Sequence, residues 1–204
     1  MLDEPMISKL YRIQTKFSRG FSLHYFTLYS IVYGLETKNS YEFGTGVSTQ
    51  IILKALKETG GVHTSCSKSS KEEICNGSIK DNPLWTHHHM KSELALPLLK
   101  EEELFDFVLH DGAHNGKVVC KDLQIIIPHM KQYSMLLVHD TQHSSLGKAL
   151  QEAVVESLKN VKYSMVVLPY GCGLTIVRIE GNEHNGQVSI TKKKANSPNT
   201  TTPF

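Results

Sequence analysis

Apolar positions along the chain follow two spacings, and each spacing predicts a different element. Short, almost continuous apolar runs are typical of buried strands, whereas apolar residues three and four apart are typical of helices. From residue 41 onward the two patterns succeed one another. Predicted strands are residues 41–43, 62–66, 84–90, 105–110 and 134–140, with two more within 163–180. Predicted helices are residues 48–61, 68–79 (a short helix and its exit), 92–104 (interrupted near Pro97), 116–131 (ending near Pro128) and 145–160.

The alternation of strands and helices predicts one α/β domain. Strands separated by helices pair in parallel through right-handed crossovers, so their carboxyl ends share one edge of a sheet. The last two strands, joined by the turn Pro-Tyr-Gly-Cys-Gly, predict an antiparallel hairpin. We place this domain at residues 1–180. From Gly181 onward the composition is polar without an apolar period, which predicts a disordered tail over residues 181–204.

Composition and charge narrow the class of protein. Apolar residues make up 40% of the chain and charged residues 21%, with a net charge of +2, which is typical of a globular domain. No face of the sequence is strongly basic, so we expect no nucleic-acid partner. The N-terminus contains early acids and no apolar signal-peptide core. Residues 21–35 are too few and too polar to cross a bilayer, so we expect no membrane partner.

Two further features bear on location and assembly. The four cysteines, Cys66, Cys75, Cys120 and Cys172, form neither a Cys-x-x-Cys pair nor a zinc spacing. Scattered cysteines fit a reducing compartment, so we expect a cytoplasmic protein. An aromatic N-terminal helix could form the face of a homo-oligomer or could equally cover the sheet; its aromatic residues are Phe21, Tyr25, Phe26, Tyr29 and Tyr33.

Two strand-like runs end in nearly the same charged signature. Residues 107–114 read FVLHDGAH, and residues 136–143 read LLVHDTQH. If the two strands are neighbours, Asp111 and Asp140 face one crevice at the carboxyl ends of the strands, where α/β sheets bind ligands. Two nearby carboxylates need a shared proton or a cation, and a hard divalent ion is a natural partner. Alternatively, each aspartate caps the following helix and each histidine lies on the surface.

The stretch YEFGTGVST lies at the first predicted strand-to-helix turn. Gly44 and Gly46 allow the backbone to approach a ligand closely, and the helix that follows offers free N–H groups. Thr49 stands at the third glycine position of the dinucleotide fingerprint, and no Gly-Lys-Ser/Thr follows. The turn therefore predicts a ligand site that is neither a full dinucleotide fingerprint nor a phosphate loop.

These stretches resemble a known family. YEFGTGVST is similar to the first motif of class I S-adenosylmethionine-dependent methyltransferases. FDFVLHDGAHNGKVVCKDL with LLVHDT resembles the small metal-dependent O-methyltransferases, nearest the macrocin O-methyltransferase and cephalosporin-hydroxylase-like group and more distantly the catechol O-methyltransferases. The resemblance covers residues 21–179. It implies an α/β, Rossmann-like three-layer sandwich with a mostly parallel seven-stranded sheet, and metal-assisted O-methylation of a small hydroxylated molecule with S-adenosylmethionine as donor.

The resemblance also implies roles for individual residues. Asp111, His139 and Asp140 would hold a divalent metal, magnesium or manganese. His114 stands where relatives place a general base, and Asp111 would join it in catalysis. A metal lowers the pKa of a bound hydroxyl, and a histidine can take its proton. The residues implied to bind the cofactor are Glu42, Gly44, Gly46, Ser48, Thr49, Cys66, Ser67 and Asp111.

Three positions depart from the family's pattern. The second strand usually ends in an acid that holds the ribose hydroxyls, but Cys66 stands there, which puts cofactor affinity in question. His139 replaces a frequent Asp or Glu; it would either shift metal preference from magnesium toward softer transition metals or not ligate the metal at all. The third predicted strand carries three adjacent histidines, of which only His87 and His89 share a face, so the favoured interpretation is not a metal site.

Two other functions stay open on these residues. The missing second-strand acid favours either a different enzyme on the same scaffold, such as a hydrolase, or a degenerate binding module that has lost its cofactor. The joint presence of Gly44, Gly46, Asp111, His114 and Asp140 argues against the degenerate module. Binding of S-adenosylmethionine separates the binding module from the methyltransferase, and methyl transfer to a hydroxyl separates the methyltransferase from the hydrolase.

Overall fold

The computed structural model describes residues 20–74 and 79–182, and within them seven strands form one sheet. The order across the sheet is 3-2-1-4-5-7-6, and the pairing is parallel except around the seventh strand, which runs antiparallel to both neighbours. The strands are β1 (Asn39–Phe43), β2 (Val62–Ser67), β3 (Trp85–His89), β4 (Phe105–His110), β5 (Met130–His139), β6 (Val161–Leu168) and β7 (Leu174–Asn182).

Helices connect the strands as the apolar periodicity predicted. The predicted interruption of the helix over residues 92–104 near Pro97 is confirmed, because proline removes a backbone donor and the chain passes into a 3-10 turn at Leu96–Leu98. Residues 99–104, which were predicted to continue the helix, are not helical. A second such turn, Ile127–His129, contains Pro128 and ends the helix before β5. The α-helices are α1 (Tyr25–Gly34), α2 (Val47–Thr59), α3 (Lys71–Ile74), α4 (Ser92–Ala95), α5 (Gly116–Ile126) and α6 (Gly147–Ser157).

The sheet lies between two apolar cores, because successive strand residues point to opposite faces. On β4, Val108 faces the core that includes α5 and α6, whereas Phe107 and Leu109 face the core that includes α1 and α2. The predicted three-layer α/β sandwich with a C-terminal antiparallel hairpin is therefore confirmed.

The aromatic N-terminal segment covers one face of the sheet. A 3-10 turn at Gly20–His24 leads into α1, and Phe21, Tyr25 and Tyr29 are buried in the core shared with α2. Tyr33, at the end of the helix, is 36% exposed. Of the two uses considered for these aromatic residues, covering the sheet accounts for their burial, and self-association stays a prediction.

The described part of the chain ends slightly beyond the predicted domain boundary. Strand β7 continues through Gly181 to Asn182 and pairs with the start of β6. The predicted disordered tail from residue 183 onward, and Cys75, lie outside the described residues. None of the described helices has both the length and the apolar content that a bilayer crossing requires.

Candidate active site

The twin His-Asp signatures end neighbouring parallel strands, but they are out of register by one residue. His110 pairs with Val138 across β4 and β5, so the next residue, Asp111, lies beside His139. Paired residues of adjacent strands direct their side chains to the same face of a sheet. The Oδ1 atom of Asp111 accordingly lies 3.0 Å from Nδ1 of His139.

A third polar side chain completes this cluster. Asp140 Oδ1 lies 3.2 Å from the same Nδ1 atom of His139. One donor atom from each of Asp111, His139 and Asp140 lies within 4.8 Å of the others. Burial disfavours the charged imidazole, but hydrogen bonds and charges from Asp111 and Asp140 outweigh it and raise the pKa of His139 to about 9. Two carboxylates are thus gathered around one nitrogen near the carboxyl ends of the strands.

His114 contacts the cluster from the loop before α5. Its Nε2 atom lies 2.8 Å from Oδ2 of Asp140, and its side chain is 54% exposed. Burial favours the protonated form of Asp140, yet the neighbouring His139 and His114 lower its pKa below the ordinary value. Asp140 therefore holds His139 with one oxygen and His114 with the other, while His114 stays open to solvent.

The histidine of the first signature has a different environment from that of the second. His110 points to the opposite face from Asp111, where its Nε2 atom lies 3.2 Å from Oδ2 of buried Asp122. Its ring stacks on Phe43 with centroids 4.8 Å apart. His110 thus ties β4 to helix α5 and to β1, and it is not part of the Asp111 cluster.

A cleft of about 680 Å³ opens beside the cluster at the carboxyl ends of β1, β2 and β4. Five residues predicted to act in binding or catalysis line it: Gly44, Cys66, Ser67, Asp111 and His114. Sequence reasoning did not assign a role to several other lining residues, among them Lys68, Ser69, Ser92 and Glu93. Their position after the ends of β2 and β3 is the signal that could have found them, because ligands of α/β sheets bind there.

Gly44, in the turn after β1, closely approaches the loop after β4. Its φ angle is +87°, and a β-carbon at this position would lie 2.4 Å from the backbone oxygen of Asp111. A residue with a side chain would therefore be both strained and in collision with the β4 loop. Gly46, by contrast, has no atom within 4 Å of such a β-carbon. The backbone of the turn that contains Gly44 therefore packs directly against the backbone of the loop that carries Asp111.

Three of the residues predicted to bind the cofactor lie behind the cleft and bind one another. The buried carboxylate of Glu42 accepts hydrogen bonds of 2.5 Å from the hydroxyls of Ser48 and Thr49 at the start of α2. His63 of β2 lies 3.1 Å from the same carboxylate and 2.9 Å from the hydroxyl of Ser40. This network ties β1, β2 and α2 together around the glycine turn.

The end of β2 offers no carboxylate to the cleft. The side chain of Cys66 is buried, and burial raises the pKa of its thiol to about 11, so the thiol is uncharged at neutral pH. The hydroxyl of Ser67 donates to the backbone oxygen of Ser69, 2.9 Å away. Where the resemblance implies an acid at the end of the second strand, this chain has the uncharged thiol of Cys66 and the hydroxyl of Ser67, which is hydrogen-bonded within its own loop.

The adjacent histidines of β3 brace this same loop. His87 Nε2 lies 2.9 Å from the backbone oxygen of Ser69, and His89 Nε2 lies 2.8 Å from the backbone oxygen of Lys68. Burial, more than any neighbouring charge, lowers the pKa of His87. Both rings are thus occupied by contacts with the backbone of the loop after β2.

A second buried histidine lies next to the cluster, and sequence reasoning did not single it out. His24 is fully buried, and its ring centroid is 5.7 Å from that of His139. Burial, together with the neighbouring His139, lowers the pKa of His24 to about 4, although the backbone of Tyr170 acts in the opposite direction. A histidine inside an otherwise apolar and aromatic segment was the available signal.

The donor atoms of the cluster fit a divalent metal. Two carboxylate oxygens and one imidazole nitrogen converge within 4.8 Å. The carboxylates suit magnesium or manganese, and the imidazole shifts the preference toward first-row transition ions. The cleft likewise fits an adenosine-containing cofactor in size, since small-molecule sites occupy ~300–1,000 Å³. Asp111 belongs to both, because it lines the cleft and contributes to the cluster.

Comparison with known proteins agrees with this geometry. Residues 41–141 match a family model described as a methyltransferase domain. No match was found among curated proteins. One similar solved structure is the SAH-bound methyltransferase PaMTH1 of Podospora anserina, with a TM-score of 0.68 and 14% identity over 88% of this chain and 89% of that chain.

Two other solved structures share the fold. The O-methyltransferase from Bacillus cereus in complex with SAH has a TM-score of 0.61 and 13% identity, covering 88% of this chain and 92% of that chain. MycE methyltransferase from the mycinamycin pathway, in complex with Mg, SAH and mycinamycin VI, has a TM-score of 0.58 and 14% identity, covering 87% of this chain and 51% of that chain. These findings do not favour the hydrolase or the degenerate binding module. The chain therefore carries a methyltransferase domain over residues 41–141 and has the fold of these SAH-bound methyltransferases.

Proposed function

We propose that this methyltransferase transfers the methyl group to a hydroxyl oxygen of a small molecule, with the help of a divalent metal. The observation that carries the proposal is the position of Asp111. Its backbone packs against the glycine turn at Gly44, and its side chain joins His139 and Asp140 in the cluster of metal-ligand type. A cofactor in the cleft and a metal at the cluster would therefore lie side by side.

The residues of the chain supply the steps around this core. When bound, S-adenosylmethionine provides the methyl group and the metal lowers the pKa of the acceptor hydroxyl. His114, oriented by Asp140, accepts the hydroxyl proton and is open to solvent on its other side. The remaining contribution is positioning, since methyl transfer needs the oxygen and the methyl carbon in line.

Two groups of residues would hold the cofactor in the cleft. Gly44, Cys66, Ser67 and Asp111 line the cleft and would contact the cofactor through backbone and side-chain groups. The second group would support the cofactor indirectly and consists of Glu42, Ser48 and Thr49. Their mutual hydrogen bonds hold the glycine turn after β1 against the first turn of helix α2. Gly46, whose backbone N–H donates to Thr49 Oγ1, begins that helix.

The nature of the acceptor is inferred from the same cluster. A metal beside a general base suits an oxygen nucleophile, because a hydroxyl must lose its proton to attack. Within the methyltransferases, we place the chain with the small metal-dependent O-methyltransferases of the macrocin O-methyltransferase and cephalosporin-hydroxylase-like group. The fold shared with MycE, crystallised with Mg, SAH and mycinamycin VI, supports an acceptor of this kind.

The proposal is tested by calorimetric titration and product analysis. S-adenosylmethionine is titrated with and without MnCl₂, and a panel of hydroxylated small molecules is then screened by mass spectrometry for methylated products and for SAH. We expect Mn²⁺-dependent methylation that Asp111→Asn abolishes. Asp106→Asn is the matched control, since Asp106 lies on the same strand but at its opposite end, where it binds Lys131. Methylation that proceeds equally after chelation of metal would contradict the metal-assisted mechanism.

A further inference from the structure

Two buried imidazoles meet behind the Asp111 cluster. His24, from the 3-10 turn before α1, lies edge-on to His139 at an angle of 73° between ring planes. On its other side the His24 ring stacks on Tyr170, in the loop between β6 and β7, with centroids 4.7 Å apart. Phe21 closes the remaining edge of His139 at 4.7 Å. Of the two rings that contact His139, those of Phe21 and His24, only the ring of His24 is polar.

Three ring nitrogens at this contact are buried without a hydrogen bond. They are Nδ1 and Nε2 of His24 and Nε2 of His139, and none has a partner of good geometry among the described residues. A buried polar group without a hydrogen bond destabilises the folded state. Apolar side chains of similar size would avoid that cost, so the pair calls for a functional explanation.

The chemistry of His139 supplies that explanation. A histidine that gives Nδ1 to a metal must carry its remaining proton on Nε2. Metal-binding histidines almost always donate that second N–H to an acceptor, which fixes the tautomer and the ring orientation. Nδ1 of His139 faces Asp111 and Asp140, its Nε2 atom is buried without a partner, and the rings in contact with His139 are those of Phe21 and His24. Phe21 offers no lone pair, whereas an uncharged imidazole offers one.

We propose that His24 is a positioning residue for the metal site, accepting a hydrogen bond from Nε2 of His139 when Nδ1 of that residue binds the metal. This inference rests on the proposed metal-assisted function. His24 is fully buried and neither of its ring nitrogens has a hydrogen-bond partner among the described residues, so the ring has the capacity to accept a hydrogen bond.

The observed geometry needs only a small adjustment. Imidazoles joined by an N–H···N hydrogen bond have ring centroids ~5 Å apart, and the two rings are 5.7 Å apart in the structure. Hydrogen bonds at active sites are commonly longer in ligand-free enzymes and shorten when the ligand binds. His24 sits on a short turn at the start of the described N-terminal segment, and a displacement of less than ~1 Å brings the nitrogens into contact.

The test measures metal affinity in the absence of S-adenosylmethionine and of any acceptor. The full-length protein, His24→Phe and His24→Gln are titrated with MnCl₂ by calorimetry, and the midpoint of thermal unfolding is measured without metal. We expect His24→Phe to bind Mn²⁺ about 10- to 100-fold more weakly with an unfolding midpoint equal to or above that of the parent. His24→Gln keeps an acceptor and restores most of the affinity. His129→Phe is the control, because His129 directly precedes the start of β5, at the other end of the strand from His139. The ring of His129 contacts the backbone oxygen of Glu103.

The outcomes separate this inference from the proposed function. If the parent protein binds Mn²⁺ and His24→Phe binds it equally well, the role of His24 is refuted while the metal site stands. If the parent binds no Mn²⁺, Mg²⁺ or Fe²⁺, the metal site and the inference both fall. If His24→Phe does not fold, His24→Met, which is flexible and lacks the imidazole acceptor, replaces it in comparison with His24→Gln.

Discussion

His139 Nδ1 lies 3.0 Å from Asp111 Oδ1, although the two residues are 28 positions apart in the chain. The contact arises because the His-Asp signature of β5 is displaced by one residue relative to that of β4. Without the displacement, the two histidines would pair and the two aspartates would pair. With it, one imidazole lies between two carboxylates, which is an arrangement that can exchange a proton for a metal ion.

Replacement of Gly44 by alanine should disrupt both the fold and the cofactor cleft. The left-handed backbone at Gly44 and the 2.4 Å approach to Asp111 lead us to expect a loss of roughly 2–5 kcal/mol in the free energy of unfolding. Gly46→Ala is the matched control, because no atom lies within 4 Å of its β-carbon. Urea denaturation measures the loss, and equal values for the two variants would contradict the close packing at Gly44.

Removal of His114 should slow methyl transfer with little effect on binding. His114→Gln takes away the proton acceptor, so we expect kcat to fall by about 10²- to 10⁴-fold while the KM for S-adenosylmethionine changes little. His143 occupies the corresponding place in the second signature, but its ring contacts Ser145 and does not line the cleft. His143→Gln should therefore retain the parent rate with the acceptor found by screening. A similar loss in both variants would argue against His114 as the base.

An acid placed at the end of β2 should tighten cofactor binding. Ser67 lines the cleft directly after buried Cys66, and a carboxylate there can accept two hydrogen bonds from a ribose diol. We expect Ser67→Glu to lower the Kd for S-adenosylmethionine about tenfold. Ser67→Gln has the same length without the charge and should give a smaller gain. Calorimetry compares the two, and no gain in either variant would place the ribose elsewhere in the cleft.

Asp106 should make the stability of the fold sensitive to acid at a site remote from the chemistry. Partial burial works to raise the pKa of Asp106, but hydrogen bonds from Lys131 and from the backbone N–H groups of Asn39 and Lys38 outweigh it, and the pKa is lowered from 3.8. The carboxylate therefore stabilises the fold above pH 3.8, and the contribution is lost as the pH falls through the lowered pKa.

The corresponding variant is Asp106→Asn, measured by urea denaturation at several pH values. Because the ion pair is partly exposed, we expect a loss of about 1 kcal/mol at neutral pH that shrinks as the pH falls below 3.8 and through the lowered pKa of Asp106. Lys131→Met removes the ion pair alone and should cost less, since both backbone N–H contacts remain. A loss for Asp106→Asn that is constant across this pH range would rule out the charge as its origin.

Local patterns in the sequence were sufficient to predict the architecture and to group the candidate site residues at one edge of the sheet. Apolar spacing located the strands and helices and the closing hairpin, because burial of one face imposes a fixed period on each type of element. Parallel strands carry their carboxyl ends to one edge, so Asp111, Asp140 and the Gly44 turn were predictable as neighbours. The interruption near Pro97 was also predictable, but the helix does not resume over residues 99–104 as expected.

Only the tertiary structure decided which of these side chains act together. The two His-Asp pairs are identical in sequence, yet His110 packs between β1 and helix α5 whereas His139 joins the Asp111 cluster. The reason is that a one-residue shift in register turns a side chain to the other face of a sheet. Glu42 is engaged by His63 of the neighbouring strand, and His139 is approached by His24 from the N-terminal segment. Such contacts join residues far apart in the chain, and a local pattern of polar and apolar positions carries no record of them.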